Sequence, residues 1–222
     1  MNSPQLPWTD IETVLLDMDG TLLDLHFDTH FWLEHVPVRY AEANELPLEL
    51  AREQLMQLYR KAEGTLEWYC VDYWTDQLKL DIEVLKQEVD HLILVRPDVL
   101  DFLQALDKAG KHRVLVTNAH GKSLSLKMKK TPIGSYLDNI ITAHDIGLPK
   151  EDVDFWEQLQ DVQAFSSTST LLIDDSFNVL KSAENFGIKH LRAILQPNSK
   201  LDPDPHERYI HIDRFADIMP FA

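Results

Sequence analysis

The sequence predicts an α/β fold, a parallel sheet covered by helices on both faces, with a helical segment inserted after the first strand. Short apolar runs ending on polar residues recur along the chain, amphipathic helical patterns lie between the later ones, and a long stretch from about residue 27 to 95 has helical periodicity without a convincing strand.

The first run, Thr13-Val14-Leu15-Leu16, carries a β-branched pair and ends in Asp17, and the following Asp19-Gly20-Thr21 reads as a turn. Later segments repeat that grammar. Arg113 to Val116 leads into Thr117-Asn118, Asn139 to Thr142 is followed by a loop with Gly147 and Pro149, and Leu171 to Ile173 leads into Asp174-Asp175. A fifth apolar run spans His190 to Leu195. Between them, Pro97 to Lys108 places Val99, Leu100, Leu103 and Leu106 at helical spacing and stops before Gly110, and a second helix is expected from Ser176 to Gly187. Strands alternating with such helices imply crossover units and a parallel sheet covered on both faces. Ligands then bind beyond the carboxyl ends of the strands.

Within the inserted stretch, Leu48 to Tyr59 and Ile82 to Leu94 have helical spacing, and the whole is expected to form an α-helical cap. The domain division expected is 1–26 with 96–222 as the core, and 27–95 as the cap. The tail from Pro203, including Tyr209 to Ile212, is expected to be loop with short final elements. No internal repeat or low-complexity tract is present in the sequence.

Composition narrows the function classes. At 44% hydrophobic residues over 222 positions the chain can bury a substantial core. No apolar run approaches the roughly 20 residues that span a bilayer, and the stretch around Pro7, Trp8 and Asp10 does not read as a signal peptide. Cys70 is the sole cysteine, so no intrachain disulfide is possible and a reducing, cytoplasmic location is expected, with the thiol buried and structural. The 37 acidic against 21 basic residues give a formal charge of −16, which disfavours nucleic-acid polymers and anionic membranes as partners. An anionic small molecule would need a local cationic site.

Hydrolysis of a phosphate monoester needs a nucleophile in line, charge neutralisation and a proton for the leaving oxygen. Asp17 and Asp19 are two residues apart, which on a regular strand puts both carboxylates on one face. Alone, such a pair near a turn is more often a solvated cap. Asp174-Asp175 adds carboxylates at a second strand end, a donor set that suits Mg²⁺, although Asp175 and Ser176 also read as helix-capping residues. Thr117-Asn118 offers a hydroxyl, an amide and main-chain N–H groups for phosphate oxygens, and Lys150 can bring a positive charge to an acidic site. Each has an ordinary structural reading as turn or solvated loop. The ordered set Asp-x-Asp-Gly-Thr, Thr-Asn, Lys, Asp-Asp is far more specific than any one member.

On these residues the sequence resembles the haloacid dehalogenase superfamily of phosphatases, over nearly the whole chain. The resemblance implies a Rossmann-like core and a helical cap, with Asp17 as the nucleophile that forms an aspartyl-phosphate and Asp19 as the acid and later base. It further implies that Thr117 and Asn118 bind the phosphoryl group and that Lys150 balances charge. Mg²⁺ would be held by the Asp17 side chain, the main-chain oxygen of Asp19 and Asp174, with Asp175 in support. Glu151 departs from the family pattern, in which proline often follows the lysine.

The runs Thr13 to Leu25, Phe31-Trp32, Thr65 to Trp74 and Leu115 to His120 are similar to the purine nucleotidase branch of that superfamily, which implies GMP or IMP as substrate. Trp68, Tyr69, Tyr73 and Trp74 offer stacking surface for a purine, but for each the better expectation is packing within the cap. His26 and Asp28 are placed equally well at the site entrance or in a solvated loop. His120 reads as a support for the Thr117 loop or a helix cap. The run Lys127, Lys129, Lys130 is expected to be a solvated helix face. Sugar-phosphate or phosphoglycolate hydrolysis and phosphomutase chemistry share this core. A haloacid dehalogenase would not need Asp19, and a non-catalytic binding protein would not need the full set.

Overall fold

The computed structural model describes residues 5–203, 205 and 207–220. Its centre is a six-stranded, all-parallel sheet in the order β3-β2-β1-β4-β5-β6. The strands are β1 (Thr13–Leu16), β2 (His112–Thr117), β3 (Asn139–Thr142), β4 (Thr170–Asp174), β5 (His190–Ile194) and β6 (His211–Ile212). The strand order reverses direction at β1, whose neighbours are β2 and β4, so Asp17 leaves the sheet at the switch point where such folds bind ligands.

Alternation along the strands fills both faces. Val14, Leu16, Leu115, Leu171 and Ile173 enter one apolar cluster, whereas Leu15, Val114, Val116 and Leu172 enter another. That is why these runs read as continuous apolar stretches.

The helices are α1 (His26–His30), α2 (Val36–Ala43), α3 (Leu48–Ala62), α4 (Val71–Leu78), α5 (Ile82–Glu88), α6 (Val99–Lys108), α7 (Gly121–Lys130), α8 (Ala143–Ile146), α9 (Val153–Val162) and α10 (Phe177–Phe186). Between β1 and β2 lie α1 to α6, a π-helical turn at Phe31–His35 and short 3₁₀ turns, with no extended strand among the described residues. Phe27, Phe31, Leu55, Tyr59, Trp74 and Ile82 join the cluster under the first sheet face, so the insertion and the sheet share one core.

Local chemistry fixes several boundaries. Ser176 caps α10 by accepting the Val179 N–H, and Gly187 ends it at φ 108°. Thr142 and Asp145 form a reciprocal capping box on α8. The helix expected through Leu94 instead stops at Glu88, followed by a 3₁₀ turn at Asp90–Leu92. Long-range pairing overrides the periodicity there. Leu94 C=O accepts the Asp24 N–H at 2.9 Å and Val95 bridges Leu23, which draws the chain back to the first loop. Among the described residues of the tail, β6 and a 3₁₀ turn at Phe215–Ile218 are the short final elements expected, while residues 204, 206, 221 and 222 lie outside the described residues. Among the described residues no helix is long and apolar enough to cross a membrane.

Candidate active site

A cavity of about 420 Å³ opens beyond the carboxyl ends of β1, β2 and β4. All seven of the site residues expected from sequence, Asp17, Asp19, Thr117, Asn118, Lys150, Asp174 and Asp175, line it.

Lys150 is the hub. Only 2% exposed, it places Nζ 2.6 Å from Asp17 Oδ1 and 2.7 Å from Asp174 Oδ2, and it also donates to the Val116 carbonyl at 3.1 Å. Although burial opposes charge, the two carboxylates hold its ammonium well above the usual range. The Ser182 hydroxyl donates to the Lys150 carbonyl and the Asn118 Oδ1 accepts the Lys150 N–H at 2.9 Å, so the lysine is fixed at both ends.

Asp174 uses its second oxygen to accept the Ser176 N–H at 2.8 Å. Asp17 Oδ2 is buried and has no hydrogen-bond partner among the described residues. Burial pushes Asp17 up to about 6 against the pull of Lys150. Burial and the charges of Asp17 and Asp174 push Asp175 well above the carboxylate range. Oxygens of Asp17, Asp174 and Asp175 lie within 4.8 Å of one another. Three carboxylates with one orphaned oxygen, and a single lysine to balance them, fit the donor set of a hard divalent cation.

Gly20 makes that approach possible. Its φ is +86°, and a Cβ there would lie 2.4 Å from Asp175 Oδ2. A side chain at this position would collide with the carboxylate and strain the turn.

Thr117 Oγ1 accepts the Ala119 N–H at 3.1 Å, which leaves its proton to be donated elsewhere. The Asn118 side chain is committed at both ends, accepting from Lys150 and donating to Glu151 at 3.0 Å. Glu151 also accepts from the Tyr69 hydroxyl at 2.6 Å, so the residue that departs from the family pattern links the helical insertion to the Thr117 loop.

One expectation is corrected. Lys127 is not on a solvated face but 1% exposed, with Nζ 2.7 Å from Asp19 Oδ1 and 2.6 Å from Asp28 Oδ2, while Lys129 and Lys130 are exposed as expected. Helix α7 turns this one lysine inward, because the partly buried Asp19 and Asp28 compensate its charge. Lys86 on α5, also buried, reaches the other Asp28 oxygen at 3.0 Å. Burial and the Asp28 and Asp17 charges push Asp19 up to about 6 against the pull of Lys127. Burial would raise Asp28 too, but the ammonium groups of Lys127 and Lys86 hold it at about 2. Lys86 and Lys127 were missed as site residues because their partners are distant in sequence. The only signal available was the acidic Asp28 following the first motif.

Asp28 thus lines the cavity, whereas His26 is not among its lining residues. Trp32, Tyr59, Trp68, Tyr69 and Trp74 form an aromatic wall. They pack on one another as well, Trp74 meeting Trp32, Tyr59 and Trp68 with ring centroids 5.2 to 6.3 Å apart. Tyr73 packs against Trp74 and is not among the lining residues. His120 caps α7, accepting the Lys122 N–H. Cys70 is half-buried rather than fully enclosed.

Residues 11–187 match the haloacid dehalogenase-like hydrolase family. The chain is 38% identical over 215 residues to the GMP/IMP nucleotidase YrfG of Escherichia coli, covering 97% of each chain. Among solved structures it is similar to a HAD phosphatase from Thermococcus onnurineus, with a TM-score of 0.78 at 20% identity, covering 93% of this chain and 95% of that one. It also resembles the L-2-haloacid dehalogenase of Xanthobacter autotrophicus, with a TM-score of 0.59 at 17% identity over 86% and 80% of the two chains.

Proposed function

This chain belongs to the haloacid dehalogenase-like hydrolases, and from that premise we propose that it is a Mg²⁺-dependent phosphatase of purine nucleoside 5′-monophosphates, working through an aspartyl-phosphate on Asp17. The observation that carries the reading is one cavity holding both the carboxylate cluster with its buried lysine and a wall of aromatic rings. Reactive centre and base-stacking surface share a single space.

In this reading residues 1–26 and 96–222 are the catalytic core and 27–95 the cap. Asp17 attacks phosphorus through Oδ2, the oxygen that Lys150 does not hold. Thr117 donates its hydroxyl proton to a phosphoryl oxygen. Asn118, with its side chain committed to the protein, shapes the loop and contacts phosphate through its main chain. Asp17, Asp174 and the main-chain oxygen of Asp19 would hold the Mg²⁺, supported by Asp175, and the ion supplies positive charge to the phosphoryl oxygens. Asp19, held high by burial, protonates the departing ribose oxygen and then takes a proton from the water that cleaves the acyl phosphate. Lys150 keeps the site's negative charge from repelling the substrate. Stacking on Trp68 or its neighbours is worth about 1–3 kcal/mol per base in comparable contacts. The free thiol of Cys70 fits a reducing compartment, and a cytoplasmic location is part of this reading.

The test is a phosphate-release panel of nucleoside monophosphates, sugar phosphates and phosphoglycolate, with and without Mg²⁺. Preference for GMP and IMP supports the proposal. Equal or better turnover of the small phosphates overturns the purine assignment.

A further inference from the structure

Apart from the carboxylate cluster, the described residues bring together a second set of metal-ligating atoms. Cys70, His120 and His144 each present a ligand atom within 4.8 Å of the other two, and all three are half-buried. They come from distant parts of the chain. Cys70 caps α4 in the helical insertion, His120 follows β2, and His144 lies in α8 just after β3. The two imidazoles meet edge to face with centroids 4.9 Å apart. The Nε2 of His144 is buried with no hydrogen-bond partner among the described residues. A ring nitrogen buried without a partner beside a thiol and a second imidazole is costly unless something occupies it.

We propose that Cys70, His120 and His144 bind a borderline-soft divalent cation of the Zn²⁺ class, which ties the helical insertion to the carboxyl edge of the sheet. A thiolate with two imidazoles is a donor set for such an ion and a poor one for Mg²⁺, which takes oxygen. Bonds of about 2.0 to 2.3 Å around a tetrahedral centre put the donors roughly 3.3 to 3.7 Å apart. The side chains therefore need to close inward by at most about 1.5 Å, a rotamer-scale adjustment.

The Cys70 sulfur accepts the Tyr73 N–H at 3.4 Å, which a thiolate bound to an ion can still do. His120 Nδ1 accepts the Lys122 N–H at 3.4 Å, a long bond that gives way when either ring nitrogen ligates, because a neutral imidazole has one free lone pair. Asp72 Oδ2 lies 3.7 Å from His120 Nε2, near enough to supply the fourth ligand or to orient the imidazole. Tyr69 and Val71, which flank Cys70, line the main cavity together with His120, so the ion sits at its rim. Bound there, it would hold the rim closed and slow exchange of substrate and product. The site is separate from the carboxylate cluster and does not depend on the proposed substrate.

The experiment is titration of the chelator-stripped full chain with Co²⁺, read by absorbance, followed by competition with Zn²⁺ and with Mg²⁺. Expected is about one equivalent bound with tetrahedral visible bands and a thiolate charge-transfer band in the near ultraviolet, displaced by Zn²⁺ but not by Mg²⁺. Because Cys70 is the only cysteine, that band identifies it without any variant. Cys70→Ser should remove the band, His144→Asn should weaken binding by about ten-fold or more, and Asp17→Asn should leave both intact. Absence of the thiolate band in the wild-type chain overturns the proposal, as does wild-type affinity in a folded Cys70→Ser.

Discussion

The Nζ of Lys127 lies 2.7 Å from Asp19 Oδ1, and the lysine is 1% exposed, so the proposed acid has its own buried cation, distinct from the Lys150 that serves Asp17. Lys127 also holds Asp28 of α1, which Lys86 of α5 grips from the helical insertion. The helical insertion and the proposed acid are therefore joined by a chain of alternating charges.

Lys127→Met should leave the partly buried Asp19 and Asp28 without their shared cation. The expected result is a fall in kcat of about 100-fold with a smaller change in KM, since Lys127 positions the acid rather than the substrate. Lys127→Arg should restore part of the loss. Steady-state kinetics with IMP measure both.

Asp28→Asn should be strongly destabilising, by about 3–5 kcal/mol, because it leaves two buried ammonium groups facing a neutral amide. The effect depends on pH. In the folded chain Asp28 sits at about 2 against an ordinary 3.8, so its contribution is fully present above pH 4 and is lost as pH falls toward 2. The stability gap between wild type and variant should narrow by about 2 kcal/mol over that window, read by urea unfolding.

The hydrogen bond from Tyr69 to Glu151 at 2.6 Å crosses from insertion to core. A double-mutant cycle of Tyr69→Phe and Glu151→Gln should show coupling of about 1.5–3 kcal/mol in unfolding free energy, the range for a bond to a charged acceptor. Tyr69→Phe should also raise KM, since Tyr69 and Glu151 both line the cavity.

Gly20→Ala forces a Cβ to within 2.4 Å of Asp175 Oδ2 at a φ of +86°. A loss of about 1–3 kcal/mol of stability is expected from strain alone. Displacement of Asp175 should lower activity with it. Urea midpoints and phosphate release would record the two effects separately.

The central strands β1 and β4 are legible as short, fully buried runs, and Asp17, Thr117 and Asp174 stand at strand ends. Asp17, Thr117 and Asp174 could be found by that local grammar. Lys150 was legible only through its order among the other motifs. Lys86, Lys127 and Asp28 obey no local rule, for their pairing is set by how α1, α5 and α7 pack, and a lysine in a basic run reads as solvated until its partners are placed. The end of α5 was misjudged for a similar reason, as Val95 is recruited by Leu23 across the core. Glu151 stood out in sequence only as a departure, and its link to Tyr69 gives that departure a use.

The nucleophile assignment is tested most directly by rapid acid quench of the enzyme turning over ³²P-labelled IMP with Mg²⁺, followed by peptide mapping. Label should appear as a hydroxylamine-sensitive acyl phosphate on Asp17 and vanish in Asp17→Asn. Turnover by a folded Asp17→Asn, or label on any other residue, would contradict it.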